Sequence, residues 1–230
     1  QTMNRIHANA PKHRGDRWIK IRSLHDDYGG WMTISQLKEA SKKDSRQESR
    51  FVTAELYTPV TLEGQSIYVP AGASLPGFAS GSGQLVKGIS YSCNGTVADR
   101  EQPKNTVTRL TELARAWLGA PYLWGGRTPM GVDCSGFTQV LFKMIGIDLP
   151  RDAWQQAQEG SPVEPGEVQP GDLAFFDNRE DIVHVGMYLS TDKMIHASGR
   201  VRIDTIDKKG VTDAVTGKTM YTLKAIRRLL

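Results

Sequence analysis

The sequence predicts an α+β protein, with two small β-rich segments ahead of a domain of helices followed by an antiparallel sheet. Three observations carry this reading. Up to Pro103 the chain alternates short strand-like runs with Gly-, Ser- and Asn-rich turns. Two amphipathic helical stripes follow, one through Leu110 and one through Phe137. Beyond Gly171 the periodicity changes to that of strands, at Leu173–Phe176, Ile182–Leu189 and Lys193–Ala197. The expected boundaries are 1–48 and 49–102 for the β segments and 103–230 for the α+β domain.

Composition narrows the class. Hydrophobic residues are 39% and charged residues 23% of the 230, which excludes a disordered chain and supports one sizeable core or a few small ones. No apolar run reaches the roughly 18 residues of a membrane span, and Gln1-Thr2-Met3 begins no apolar signal core. A chain that begins with Gln is read as trimmed. The net charge of +4 is spread along the chain, unlike the concentrated patch of a nucleic-acid binder. Cys93 and Cys134 make neither a disulfide framework nor a metal site by spacing, and both are expected to be reduced.

In the first segment, Arg17 to Arg22 alternates apolar and charged residues, Asp27-Tyr28-Gly29-Gly30 marks a turn, and Gly30 to Ile34 is the next strand. The Trp18-x-x-Ile21-Arg22 and Gly30-Trp31-Met32 pairing resembles a bacterial SH3-like domain, here partial or degenerate. Lys38 to Arg50 is almost wholly polar and reads as a linker or a solvated helix. A second small SH3-like barrel is expected from Phe51–Tyr57, Ser66–Val69, Gln84–Ser92 and Gly95–Val97, with turns at Glu63-Gly64-Gln65 and Ala79–Gly83. Asn94-Gly95 between two runs reads as a hairpin turn.

In the last domain Leu110, Leu113, Ala114, Trp117 and Leu118 stripe one helix, closed by Gly119 and Pro121. A second stripe comprises Phe137, Val140, Leu141, Met144 and Ile145, with Asp133 as N-cap and Gly146 as C-terminal cap. Cys134 therefore lies in the first helical turn, where backbone N–H groups and the helix dipole favour a thiolate. Asp152 caps a short helix that ends by Gly160. Alternation along Ile182–Leu189 puts His184 and Gly186 on the face opposite Val183, Val185, Met187 and Leu189. A hairpin centred on Ser190 places His184 directly across from His196, with Cβ atoms about 4.5–5.5 Å apart. A helix-start cysteine beside two histidines suggests Cys–His–His chemistry, His184 as base and His196 orienting its ring. The same residues match no structural zinc spacing, and no metal or cofactor is expected.

Six motifs occur in order: Pro121-Tyr122-Leu123-Trp124-Gly125-Gly126, Asp133-Cys134-Ser135-Gly136-Phe137, Leu149-Pro150-Arg151-Asp152, Pro170-Gly171-Asp172-Leu173, His184-Val185-Gly186-Met187-Tyr188 and Ile195-His196-Ala197. Together they resemble the papain-like NlpC/p60 cysteine peptidases, over about Thr106 to Leu230. The resemblance implies Cys134 as nucleophile, His184 as base, His196 as the third polar residue, and Tyr122 near the sulfur at the oxyanion region. With the SH3-like segments it extends to the γ-D-glutamyl-L-diamino acid endopeptidases. These cut between D-glutamate and diaminopimelate or lysine and read a free N-terminal L-alanine. The matching substrate-binding positions are Trp124, Asp133, Ser135 and Asp152, while Ala153 stands where the subgroup tends to have Ser. Implied besides are a peptidoglycan-derived peptide as partner, a monomer without nucleic acid, and a cell-envelope location, periplasmic or secreted, with the cytoplasm as alternative. The competing readings are a general peptidoglycan lysin or amidase on this scaffold and a non-catalytic wall-binding protein.

Overall fold

The computed structural model describes residues 6–8, 18–37, 49–85, 88–102, 106–177, 181–213 and 215–230. The polar linker from Lys38, the expected boundary at residue 48 and the composition change at Pro103 fall on or beside residues outside this set. The chain divides into two compact units, Gln1–Glu101 and Gln102–Leu230.

In the first unit, Ile6–Ala8, Trp18–Ser23 and Gly29–Thr33 form a three-stranded antiparallel sheet. A four-stranded sheet runs in the order Gln65–Pro70, Tyr57–Leu62, Ser90–Cys93, Ser82–Gln84. Its first hairpin turns at Glu63 and Gly64, both with positive φ (49° and 80°), the backbone that a two-residue turn requires. Val60, Val69, Leu75, Tyr91 and Cys93 make the small core beneath it. Asn94-Gly95 is no hairpin turn. Ser90–Cys93 pairs within the four-stranded sheet, whereas Val97–Asp99 leaves it to pair with Phe51–Thr53.

In the second unit three helices precede a sheet: α1 (Thr106–Ala116), α2 (Cys134–Met144) and α3 (Ala153–Gln156). α1 turns its Leu110, Leu113 and Ala114 inward, and the buried Trp117 beyond its end meets Phe137 edge-on, ring centroids 5.8 Å apart. Such a pair adds about 0.5–1.5 kcal/mol beyond area burial. Leu118, expected in that stripe, is 47% exposed because the helix has ended. α2 departs from an amphipathic helix: all eleven of its residues are buried. It is a central helix with a polar stripe, and the side chains of Thr138 and Gln139 bond to other parts of the core.

The sheet strands are β1 (Ser161–Pro162), β2 (Leu173–Asp177), β3 (Ile182–Ser190), β4 (Lys193–Ser198), β5 (Arg200–Asp207), β6 (Gly210–Thr212) and β7 (Thr219–Arg228). Their order is β1-β7-β2-β3-β4-β5-β6, and β6 pairs back onto β7. The expected antiparallel sheet is therefore a closed barrel of six strands, β2 to β7, with β1 on the outside of β7. The sequence reading ends at Ala197 and misses the three strands that close it. Closure removes sheet edges. Ala174, Phe176, Tyr188, Met194, Ile206, Val211 and Ile226 fill the interior, while α2 packs against β3 and β4.

The β3–β4 register is shifted from the expected one. Met187 faces Ile195, Tyr188 faces Met194, and Ser190 pairs with Lys193 across an irregularity. The turn is Thr191-Asp192, not a turn centred on Ser190, and the Ser190 hydroxyl donates to Asp192 at 2.8 Å. Continued inward, this register sets His196 across from Gly186. His184 and His196 are diagonal neighbours rather than a direct pair. The offset is two residues, so both still point the same way, into the barrel. Gly186 is required here, because a Cβ on it would come within 2.9 Å of the His196 Cβ.

Candidate active site

The site is assembled at the first turn of α2. Asp133 is the N-cap, with extended backbone (φ −95°, ψ 176°), and its Oδ1 accepts the Gly136 N–H at 2.7 Å. Its Oδ2 accepts the Gly125 N–H at 2.7 Å, which draws the Trp124–Gly126 turn over the helix start. That approach is close enough that the Gly126 carbonyl occupies the place of a Cβ on Gly136. The buried Arg151 guanidinium completes the clamp. It pairs with both Asp133 oxygens and donates to the Ser135 hydroxyl at 3.0 Å. Asp133 thus serves five donors, counting the Ser135 hydroxyl at 3.4 Å, which saturates a carboxylate.

Cys134 is buried, and its sulfur faces the N–H groups of Val185, Ser135 and its own backbone. Val185 adjoins His184 on β3, so helix start and strand meet at the nucleophile. Burial pushes the Cys134 thiol up to about 11, and the Asp133 charge adds to this, while those amides pull the other way. The amides at the helix start favour the thiolate as expected, but desolvation outweighs them.

The two histidines and an aspartate form a hydrogen-bonded row inside the barrel. His184 Nε2 lies 2.7 Å from His196 Nδ1, and His196 Nε2 lies 2.9 Å from Asp204 Oδ2. Tyr221 of β7 stacks on the His184 ring at 4.2 Å and 12°, holding its plane. Burial, then the adjacent His196 ring, push the His184 imidazolium well below its ordinary 6.5. Both shifts favour the neutral forms, a protonated Cys134 thiol and an uncharged His184 ring. Tyr122 is half-buried and pushed up to about 12 by burial, then by Cys134 and Asp133, so it stays a hydrogen-bond donor beside the sulfur.

The structure thus brings Cys134, His184, His196, Tyr122, Asp133 and Ser135 together. Trp124 is 84% exposed, and Asp152 is a half-buried N-cap of α3 whose own N–H donates to Gln155 at 3.2 Å. Sequence reasoning missed Arg151, Asp204 and Tyr221. Arg151 lies in the Leu149–Asp152 motif, and a buried carboxylate at Asp133 was the signal that a cation must be near. Asp204 and Tyr221 lie on strands that alternation alone leaves unpaired.

Residues 119–220 match the NlpC/P60 family. This segment is an NlpC/P60 domain. Its Cys134 and paired histidines are the equipment of a cysteine peptidase. The chain is 29% identical to the gamma-D-glutamyl-L-lysine dipeptidyl-peptidase of Bacillus cereus ATCC 10987, over 90% of this chain and 70% of the relative. It is 31% identical to the protein of that name from Bacillus subtilis 168, over 74% of this chain and 60% of the relative. A crystal structure of an NlpC/P60 family protein from Bacillus cereus ATCC 10987 superposes with a TM-score of 0.78. At 24% identity, covering 97% of this chain and 78% of that one, it shows the shared fold. The chain therefore spans 60–70% of the length of the two curated relatives.

Proposed function

We propose that this chain is a cysteine endopeptidase hydrolysing the γ-D-Glu–diaminopimelate (or γ-D-Glu–L-Lys) bond of peptidoglycan-derived peptides that carry a free N-terminal L-Ala. The observation that carries the reading is the extent of the match. The relatives named dipeptidyl-peptidases align over 90% and 74% of the chain, well beyond residues 119–220. A dipeptidyl-peptidase releases two residues from an amino terminus, and L-Ala-γ-D-Glu is such a pair. On this reading the Cys134 sulfur attacks the γ-carbonyl carbon of D-Glu while His184 takes the thiol proton. The protonated Tyr122 hydroxyl donates to the developing oxyanion. His184 returns the proton to the departing amine, and water then hydrolyses the thioester.

Recognition of the L-Ala ammonium falls to Asp152. Asp133, the other candidate, has its acceptor capacity filled by Arg151, Ser135 and two amides. Asp133 and Ser135 hold the pocket wall instead, and the exposed Trp124 offers an apolar face to the peptide. Residues 1–48 and 49–102 are read as SH3-like modules. The protein is read as a monomer of the cell envelope that turns over or recycles wall peptides. Mass detection of products from L-Ala-γ-D-Glu-diaminopimelate and L-Ala-γ-D-Glu-L-Lys tests the bond assignment. L-Ala-D-Glu and the free diamino acid are expected, and products cut elsewhere contradict it.

A further inference from the structure

We propose that Asp204 is a positioning residue that fixes the tautomers of both histidines, so that His184 presents an unprotonated Nδ1 to the Cys134 thiol. This rests on the reading of Cys134 as nucleophile and His184 as base. The Asp204 side chain is fully buried on β5, on the inward face with Ile206. A buried carboxylate is costly unless it is paired and hydrogen-bonded. Arg202 supplies the pairing twice, Nε to Oδ2 at 2.9 Å and Nη2 to Oδ1 at 2.9 Å, and reaches on to Asp213 at 2.8 Å. Asp204 is thereby held as an anion, an acceptor with no proton to give.

The proton positions follow in sequence. Asp204 Oδ2 must accept from His196 Nε2, so that nitrogen carries the hydrogen. With that hydrogen on Nε2, the tautomer of His196 has its lone pair on Nδ1, which accepts from His184 Nε2. His184 in turn has its lone pair on Nδ1, the ring nitrogen that remains to take a thiol proton. The opposite set of tautomers places a hydrogen on His184 Nδ1 and leaves no base at the sulfur. Among the described residues, the groups around the row include Arg202 and Asp204 from β5 and the Tyr221 hydroxyl from β7, which lies 3.3 Å from the Ser198 hydroxyl; the Cys134 thiol of α2 sits at the N–H of Val185, next to His184 on β3. Tyr221 restrains the His184 ring plane but leaves either tautomer possible. Among the described residues, Asp204 is the group whose hydrogen bond selects between them.

The test uses the full chain with Asp204→Asn, which keeps the shape but offers an N–H₂ that can donate to His196, and Asp204→Ala as the larger change. Ring ¹⁵N shifts of the two histidines, steady-state kinetics and the alkylation rate of Cys134 by iodoacetamide, located by peptide mass, are measured together. The wild type is expected to show Nε2–H in both rings. Asp204→Asn is expected to move His196 toward Nδ1–H, lower kcat by on the order of 10²-fold with KM within about twofold, and slow alkylation in parallel. Wild-type rings in the other tautomer overturn the proposal. So does an Asp204→Asn variant with wild-type ring shifts, or a loss of kcat without a ring change, since packing alone then explains it. Ring shifts and alkylation need no peptide substrate, so a wild type that fails to cleave the proposed peptide sinks the substrate reading and leaves this test standing.

Discussion

At the scale of single residues, the chemistry depends on two neutral groups that exchange one proton. Cys134→Ala is expected to leave less than about a thousandth of the turnover while the thermal melt is unchanged, since the small side chain is nucleophile rather than packing. His184→Ala should cost nearly as much. His196→Ala should cost less in turnover but also lower stability, because it removes a fully buried ring that satisfies Asp204. Equal turnover losses for the two histidine variants would contradict this division of roles. The pH dependence follows from the depressed His184. Its conjugate acid forms only well below 6.5, so kcat/KM should hold level down through pH 6.5 and fall beneath it. Stability shares the sign: the unfolded chain takes up a proton near 6.5 that the folded site refuses, so stabilisation is full above 6.5 and is lost as pH falls further. An acid limb at or above 6.5 in the rate profile would contradict a neutral resting pair. These three residues were legible because Cys134 follows a capping Asp and the histidines sit in phase on strands. Asp204 was not, because the acceptor of a buried imidazole is chosen by strand pairing, which no local pattern reports.

At the scale of elements, the helix start is held by one buried ion pair. Arg151 ties α2 to the segment before α3 through Asp133 and Ser135. Arg151→Met should cost about 3–5 kcal/mol in denaturant unfolding, because it leaves the Asp133 charge buried without its cation. Adding Asp133→Asn should recover part of that loss, and additive losses in the double variant would contradict the pairing. The elements themselves were largely readable: α1, α2 and β2 to β4 fall where their periodicity places them. Their pairing was less so. The β3–β4 register lies two residues from the expected one, and only because two is even do the histidines keep a common face. In β5 the regular alternation of Val201-Arg202-Ile203-Asp204 changes phase at Thr205-Ile206, and Asp204 reads as a surface residue because its burial rests on pairing with Arg202 and His196.

At the scale of the whole molecule, a peptidase domain follows a unit whose described residues form three small sheets. In that first unit Trp18–Ser23, Gly29–Thr33 and Gln65–Pro70 were visible in the sequence, whereas Ile6–Ala8 and Tyr57–Leu62 were not, and the run expected over Gln84–Ser92 is the two strands Ser82–Gln84 and Ser90–Cys93. Nor was the departure of Val97–Asp99 to a different sheet visible, since Asn94-Gly95 has the local chemistry of a hairpin. The central claim is that this chain cleaves after L-Ala-γ-D-Glu when the L-Ala amine is free. In intact peptidoglycan that amine is an amide, uncharged and bulky, and leaves Asp152 without its partner. The direct measurement is the ratio of kcat/KM for L-Ala-γ-D-Glu-diaminopimelate and its N-acetyl form, with Asp152→Asn alongside. A preference for the free amine on the order of 10²-fold, largely lost in Asp152→Asn, is the predicted result. Equal cleavage of the two peptides, or rapid clearing of intact sacculi, would contradict it and favour a general wall lysin.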